Sequence, residues 1–168
     1  MAESFLIDKN LPKEEKYKLL VEQVNYLFDE NDHILSSLSN FTAVLKQLFD
    51  SFSWVGFYLL ESDTLHLGPF QGKLACTRIN LGKGVCGTSA QIKKSIIVPD
   101  VDKFPGHIAC DSDSRSELVI PLIKDNFLFG VLDIDSTQYN NFDDMDKLYL
   151  EKICNLFLQK INLSSFAF

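Results

Sequence analysis

No part of this chain is both long and apolar. Nothing approaches the roughly 18 consecutive apolar residues of a membrane-spanning helix. The opening Met1–Lys9 has only Phe5, Leu6 and Ile7 together between polar neighbours, which is not the pattern of a secretory signal peptide. Positive charge is scarce: 16 Lys and Arg stand against 23 Asp and Glu, for a net charge of −7, and only Arg78 and Arg115 are arginines. That balance excludes nucleic acid and anionic membrane as partners, and there is no basic patch interleaved with aromatics of the kind single-strand binders use. Cysteine is sparse, at four residues, and lacks the paired C-x2-C knuckle that marks a zinc module. With no export signal, a cytoplasmic location is expected, where a disulfide would be transient and catalytic rather than structural. Internal repeats, low-complexity tracts and linkers are also missing, so a single domain over residues 1–168 is expected.

What is there suits a globular core: 46% hydrophobic residues, including 14 phenylalanines. Pro12 and the acids after it open a helix over residues 13–29, with Tyr17, Leu20, Val21, Val24, Leu27 and Phe28 on one stripe. Asp32 is placed to cap a second helix whose apolar stripe runs from Ile34 to Phe49, so helices occupy about 13–50. From Ser53 the period changes to that of strands, and sheet and loops fill about 53–136. Asp143 then caps a last helix over about 143–162, in which Cys154 is an inert buried thiol. Helices, antiparallel strands and a closing helix describe an α+β domain.

The longest irregular stretch is Phe104–Glu117, a polar loop with Cys110 in its middle and His107 three residues earlier. Loops of this length in compact domains usually serve a site. On the first strand Trp54, Gly56 and Tyr58 share a face and leave a notch at the glycine. If Lys124-Asp125-Asn126 closes a three-residue hairpin, Glu117 faces Asp133 and Arg115 faces Asp135. Opposed acids repel unless a cation or a shared proton lies between them. The glycine-rich Gly82–Gly87 opens a short helix whose first N–H groups, around Val85, can hold a carboxylate or phosphate. His107, Cys110, Cys86 and Cys76 together would make a Cys₃His zinc set, an alternative to redox chemistry.

Blocks across nearly the whole chain resemble the free methionine-(R)-sulfoxide reductase family of GAF domains. They include Trp54-Val55-Gly56-Phe57-Tyr58, Gly68-Pro69-Phe70-Gln71-Gly72, Gly84-Val85-Cys86-Gly87, Phe104–Cys110, Ser116-Glu117 and Gly130–Ser136. The resemblance implies a central antiparallel sheet of about six strands flanked by helices, commonly in a homodimer. It implies that Cys110 is the catalytic cysteine, Cys86 the resolving one and Cys76 a third redox cysteine. Trp54, Tyr58, Glu117, Asp133 and Asp135 would form the substrate pocket, and His107 would have a structural place in its loop. Which of Cys76 and Cys86 resolves first stays open. The implied reaction is reduction of free methionine-(R)-sulfoxide, with no bound cofactor or metal and with thioredoxin, recharged by NADPH, as external reductant. A non-enzymatic GAF sensor is the rival, disfavoured because an acidic pocket suits no phosphate ligand.

Overall fold

The computed structural model describes residues 8–108 and 110–162. Residues 1–7 of the N-terminal stretch read against a signal peptide, Ala109 of the cysteine loop and the tail from 163 onward lie outside them. Two helices come first, α1 (Lys13–Leu27) and α2 (Ile34–Leu48). The strands β1 (Trp54–Glu61), β2 (Thr64–Gln71) and β3 (Arg78–Asn80) follow, then α3 (Gly84–Ile92) and β4 (Ile96–Val98). After the cysteine loop come β5 (Ser116–Lys124), β6 (Phe127–Ser136) and the closing helix α4 (Asp144–Lys160). The strands form one six-stranded sheet, antiparallel throughout, in the order β3-β2-β1-β6-β5-β4.

Local chemistry accounts for the helix ends. The Asp143 side chain accepts from the N–H groups of Met145 and Asp146, and Asp146 accepts in return from the Asp143 N–H, closing a reciprocal cap worth about 1 kcal/mol. The buried Asp146 is further satisfied by Lys13 Nζ at 2.8 Å and the Tyr17 hydroxyl at 2.8 Å, which ties α1 to α4. At α2 the cap is His33 rather than Asp32: its Nδ1 accepts from the Leu35 N–H at 3.3 Å.

Strand alternation gives the sheet two unlike faces. Val55, Phe57 and Leu59 of β1, with Leu118, Ile120, Leu132 and Ile134, enter the core beneath α1, α2 and α4. There Phe41 lies 5.5 Å from Phe57 and 5.0 Å from Phe157 between ring centroids. Cys154 is buried in this core, and burial pushes its thiol far up, in keeping with an inert role. The opposite face carries Trp54, Tyr58, Val119 and Val131, covered by Val85, Cys86 and Ala90 of α3.

The β5–β6 register corrects the hairpin expectation. Asp125 and Asn126 both adopt left-handed backbone (φ 51° and 64°), so the loop has two residues and Lys124 pairs with Phe127. A bulge between Leu122 and Ile123 shifts the register again. Glu117 therefore faces Asp135, and Asp133 faces Val119. Because the net slip is two residues, the acids keep a common face, where a slip of one would have turned them over. Arg115 lies before β5 and pairs with neither acid; its Nη1 donates to the carbonyls of Ser112 and Ser114.

Candidate active site

The rows of the sheet set the acids. Trp54, Asp135 and Glu117 are successive partners across β1, β6 and β5, and Gly56, Asp133 and Val119 form the next row. Glu117 and Asp133 are 5% and 6% exposed, so both carboxyls are shut away from bulk water. Burial, then Asp133 and Asp135 beside it, pushes the Glu117 carboxyl well above the ordinary range. Burial raises Asp133 to about 6 and, with Asp133 as neighbour, also lifts the half-buried Asp135. Crowded acids in a covered site are thus held toward the protonated form that can donate to an oxygen.

The first turn of α3 roofs these acids. Gly87 is required there, because a Cβ would come within 2.3 Å of the Asn80 carbonyl oxygen, and that closeness lowers Val85 and Cys86 onto the sheet. Cys86 Sγ lies 3.8 Å from Glu117 Oε1, and burial pushes its thiol well above its usual value. Val85, Cys86, Tyr58, His107, Cys110 and Glu117, with Asp133 and Asp135, line a cavity of about 30 Å³. His107 Nε2 stands 3.8 Å from Glu117 Oε2, and burial lowers the His107 pKa, which disfavours the charged ring. The His107 N–H donates to the Phe104 carbonyl at 3.1 Å, which turns the loop.

The cysteines do not pair as the resemblance implies. Cys110 is disulfide-bonded to Cys76, with Cα atoms 5.4 Å apart, while Cys86 is free and buried. Two long-range contacts bring Cys76 there. The Tyr58 hydroxyl donates to the Cys76 carbonyl at 2.9 Å, and Trp54 Nε1 donates to the Lys73 carbonyl at 3.0 Å. Lys73 in turn reaches across to Asp111 and Asp113 of the Cys110 loop. The disulfide also removes Cys76 and Cys110 from the Cys₃His zinc set.

Trp54 stands apart from the other expected pocket residues, because it does not line the cavity. Its ring fills the notch at Gly56, where a Cβ would lie 2.2 Å from Trp54 Cη2, and it stacks on Phe70 and Tyr58 at 5.4 and 6.0 Å. Two polar lining residues went unread in the sequence, Asp111 and Ser114, as did the apolar Ile79 and Ile108. The only signal of the two polar residues was their position beside Cys110.

The GAF domain sequence pattern matches residues 33–161, which with the sheet order and the cup on one face makes this a GAF domain protein. The free methionine-R-sulfoxide reductase of Saccharomyces cerevisiae is 46% identical over 155 residues, 88% of this chain and 86% of that protein. The Escherichia coli protein of the same name is 47% identical over 141 residues, 84% of this chain and 86% of its own. Among solved structures, the Neisseria meningitidis free methionine-R-sulfoxide reductase in complex with its substrate superposes with a TM-score of 0.88 at 43% identity. That alignment covers 94% of this chain and 95% of the other. The chain belongs to the free methionine-R-sulfoxide reductase family, a family of oxidoreductases.

Proposed function

We propose that this protein reduces free L-methionine-(R)-S-oxide to L-methionine, with Cys110 as nucleophile. The observation that carries the reading is a disulfide to Cys110 at the rim of a cup whose three acids are held toward protonation. The Cys110 thiolate attacks the sulfoxide sulfur while a protonated carboxyl among Glu117, Asp133 and Asp135 gives its proton to the oxygen. The oxygen passes to Cys110 as sulfenic acid, and methionine leaves with its sulfur reduced by two electrons. A second thiol then attacks the sulfenic sulfur, expels water and closes a disulfide. The bond to Cys76 supports Cys76 as that second thiol, in place of Cys86.

The acids also suit the α-ammonium of a free amino acid, a group that methionine within a peptide lacks, and the first turn of α3 at Val85 suits its carboxylate. A cavity of about 30 Å³ holds about one water. The disulfide form is therefore closed to substrate, and reduction must widen the cup before the next turnover. With this reading go a dithiol reductant, thioredoxin recharged by NADPH, no bound cofactor, a cytoplasmic setting and a homodimer.

A thioredoxin-coupled assay following NADPH with separated sulfoxide diastereomers tests the proposal. Free (R)-sulfoxide should turn over, the N-acetylated, amidated analogue should react poorly, and Cys110→Ser should lose about 10³-fold or more. Equal rates on free and blocked substrates, or full activity in Cys110→Ser, would refute it.

A further inference from the structure

We infer that Cys86, Glu117 and Asp133 form a binding site for a thiophilic divalent cation, with zinc as the fitting ion, inside the cup and independent of the redox disulfide. One ligand atom from each residue, a thiol sulfur and two carboxylate oxygens, lies within 4.8 Å of the others, and the Cys86–Glu117 pair is already at 3.8 Å. Zinc bonded at about 2.0–2.3 Å to tetrahedral donors holds them roughly 3.3–3.8 Å apart, so the three need to close by at most about 1.5 Å.

A second observation points to a ligand at this spot. Asp133 Oδ1 is buried with no hydrogen-bond partner, on a residue only 6% exposed that lines the cavity. An acceptor atom buried without a partner carries a desolvation cost that a bound cation would offset. Among the described residues lining the cavity, His107 is the only basic side chain, set among the four acids Asp111, Glu117, Asp133 and Asp135. The cup thus collects acids and offers them no lysine or arginine.

The donors also define which cation. They come from three packed elements, α3, β5 and β6, so their spacing is set by the fold rather than by a mobile loop. A thiolate among the ligands selects zinc over magnesium or calcium, which require oxygen donors alone. Binding replaces the protons of the thiol and carboxyls with metal bonds and releases those protons to solvent. Neither Cys76 nor Cys110 takes part, so the disulfide-bonded protein is competent to bind.

Zinc in this position holds Glu117 and Asp133 deprotonated and fills the space the substrate ammonium needs, so it inhibits turnover. Only this consequence rests on the reductase reading. The binding does not.

The test starts from metal-free, disulfide-bonded protein titrated with zinc against a chromophoric chelator. One zinc per chain is expected, undisturbed by excess magnesium, with affinity reduced in Cys86→Ser and in Asp133→Asn by at least the roughly 10- to 100-fold that loss of even an outer-shell partner brings. Anomalous diffraction at the zinc edge from soaked wild-type crystals should place the ion between the three side chains, a result that needs no variant to fold. Absence of binding, unchanged affinity in both variants, or an anomalous peak only elsewhere would overturn the site. In the activity assay, zinc should inhibit and a chelator should restore the rate. If metal-free wild type turns over no sulfoxide while zinc still binds at the three residues, the reductase reading fails and the metal site stands.

Discussion

The two faces of the sheet are built from alternate residues of the same strands, yet they do opposite work. On β6, Ile134 enters the helix-covered core while Asp133 and Asp135 on either side of it enter the cup. On β1, Phe57 packs against Phe41 and Phe157, while Gly56 and Tyr58 face the other way. Three helices close the first face with carbon, where each buried large side chain contributes about 1.5–3 kcal/mol. One short helix and the cysteine loop cover the second face, where buried carboxyls and an orphaned oxygen are costs. The carbon side offsets the cost of the site, and the site sits under the thinner of the two covers.

The largest effect should come from breaking the carbon side. Phe57→Ala removes a fully buried ring from the aromatic cluster and should cost about 3–5 kcal/mol, read from the denaturation midpoint at unchanged slope. Activity per folded molecule should stay near wild type, since the ring points away from the cup. A large fall in activity with intact stability would show that the faces are not separable.

The next effect belongs to the acid side and has the opposite sign for stability. Glu117 has a folded-state pKa above its unfolded value, so the native state binds the extra proton and wild-type stability falls as pH rises past the unfolded pKa. For Asp133 that loss runs from the ordinary aspartate value of 3.8 up to about 6, and Glu117, pushed well above its ordinary range, extends it upward. Glu117→Gln cannot ionise. It should gain stability relative to wild type progressively as pH rises above the ordinary glutamate value of 4.5, while turnover drops about 10²-fold for want of a proton donor. Parallel stability–pH curves for the two proteins would show that Glu117 is not held toward protonation by the fold.

How far these faces could be read from the sequence depends on distance along the chain. The alternation Asp133-Ile134-Asp135 and the Trp54–Tyr58 run declare their faces within a few residues, and the Asp143 cap needs only Asp146 nearby. Register was harder, since it turned on left-handed backbone at Asp125 and Asn126 and on a bulge that no periodicity marks. The partner of Cys110 was not legible from spacing. It depends on the path of residues 72–77, which hydrogen bonds from Trp54 and Tyr58 hold across sequence separations of 19 and 18. The same bonds make Trp54 a brace for the segment that delivers Cys76.

That brace supplies the smallest and most discriminating test of the two-face picture. In Gly56→Ala the new Cβ would fall 2.2 Å from Trp54 Cη2 and 2.6 Å from Phe70 Cβ, so the indole must move. Overpacking of this kind costs about 1–3 kcal/mol, a loss that a core-side variant could equal. What a core-side variant would not do is loosen the Trp54–Lys73 and Tyr58–Cys76 hydrogen bonds that set one sulfur opposite the other. Gly56→Ala should therefore slow closure of the Cys76–Cys110 disulfide after a single turnover, seen as longer-lived sulfenic acid in a trapping experiment. Destabilisation with normal closure would mean that the indole packs without positioning Cys76.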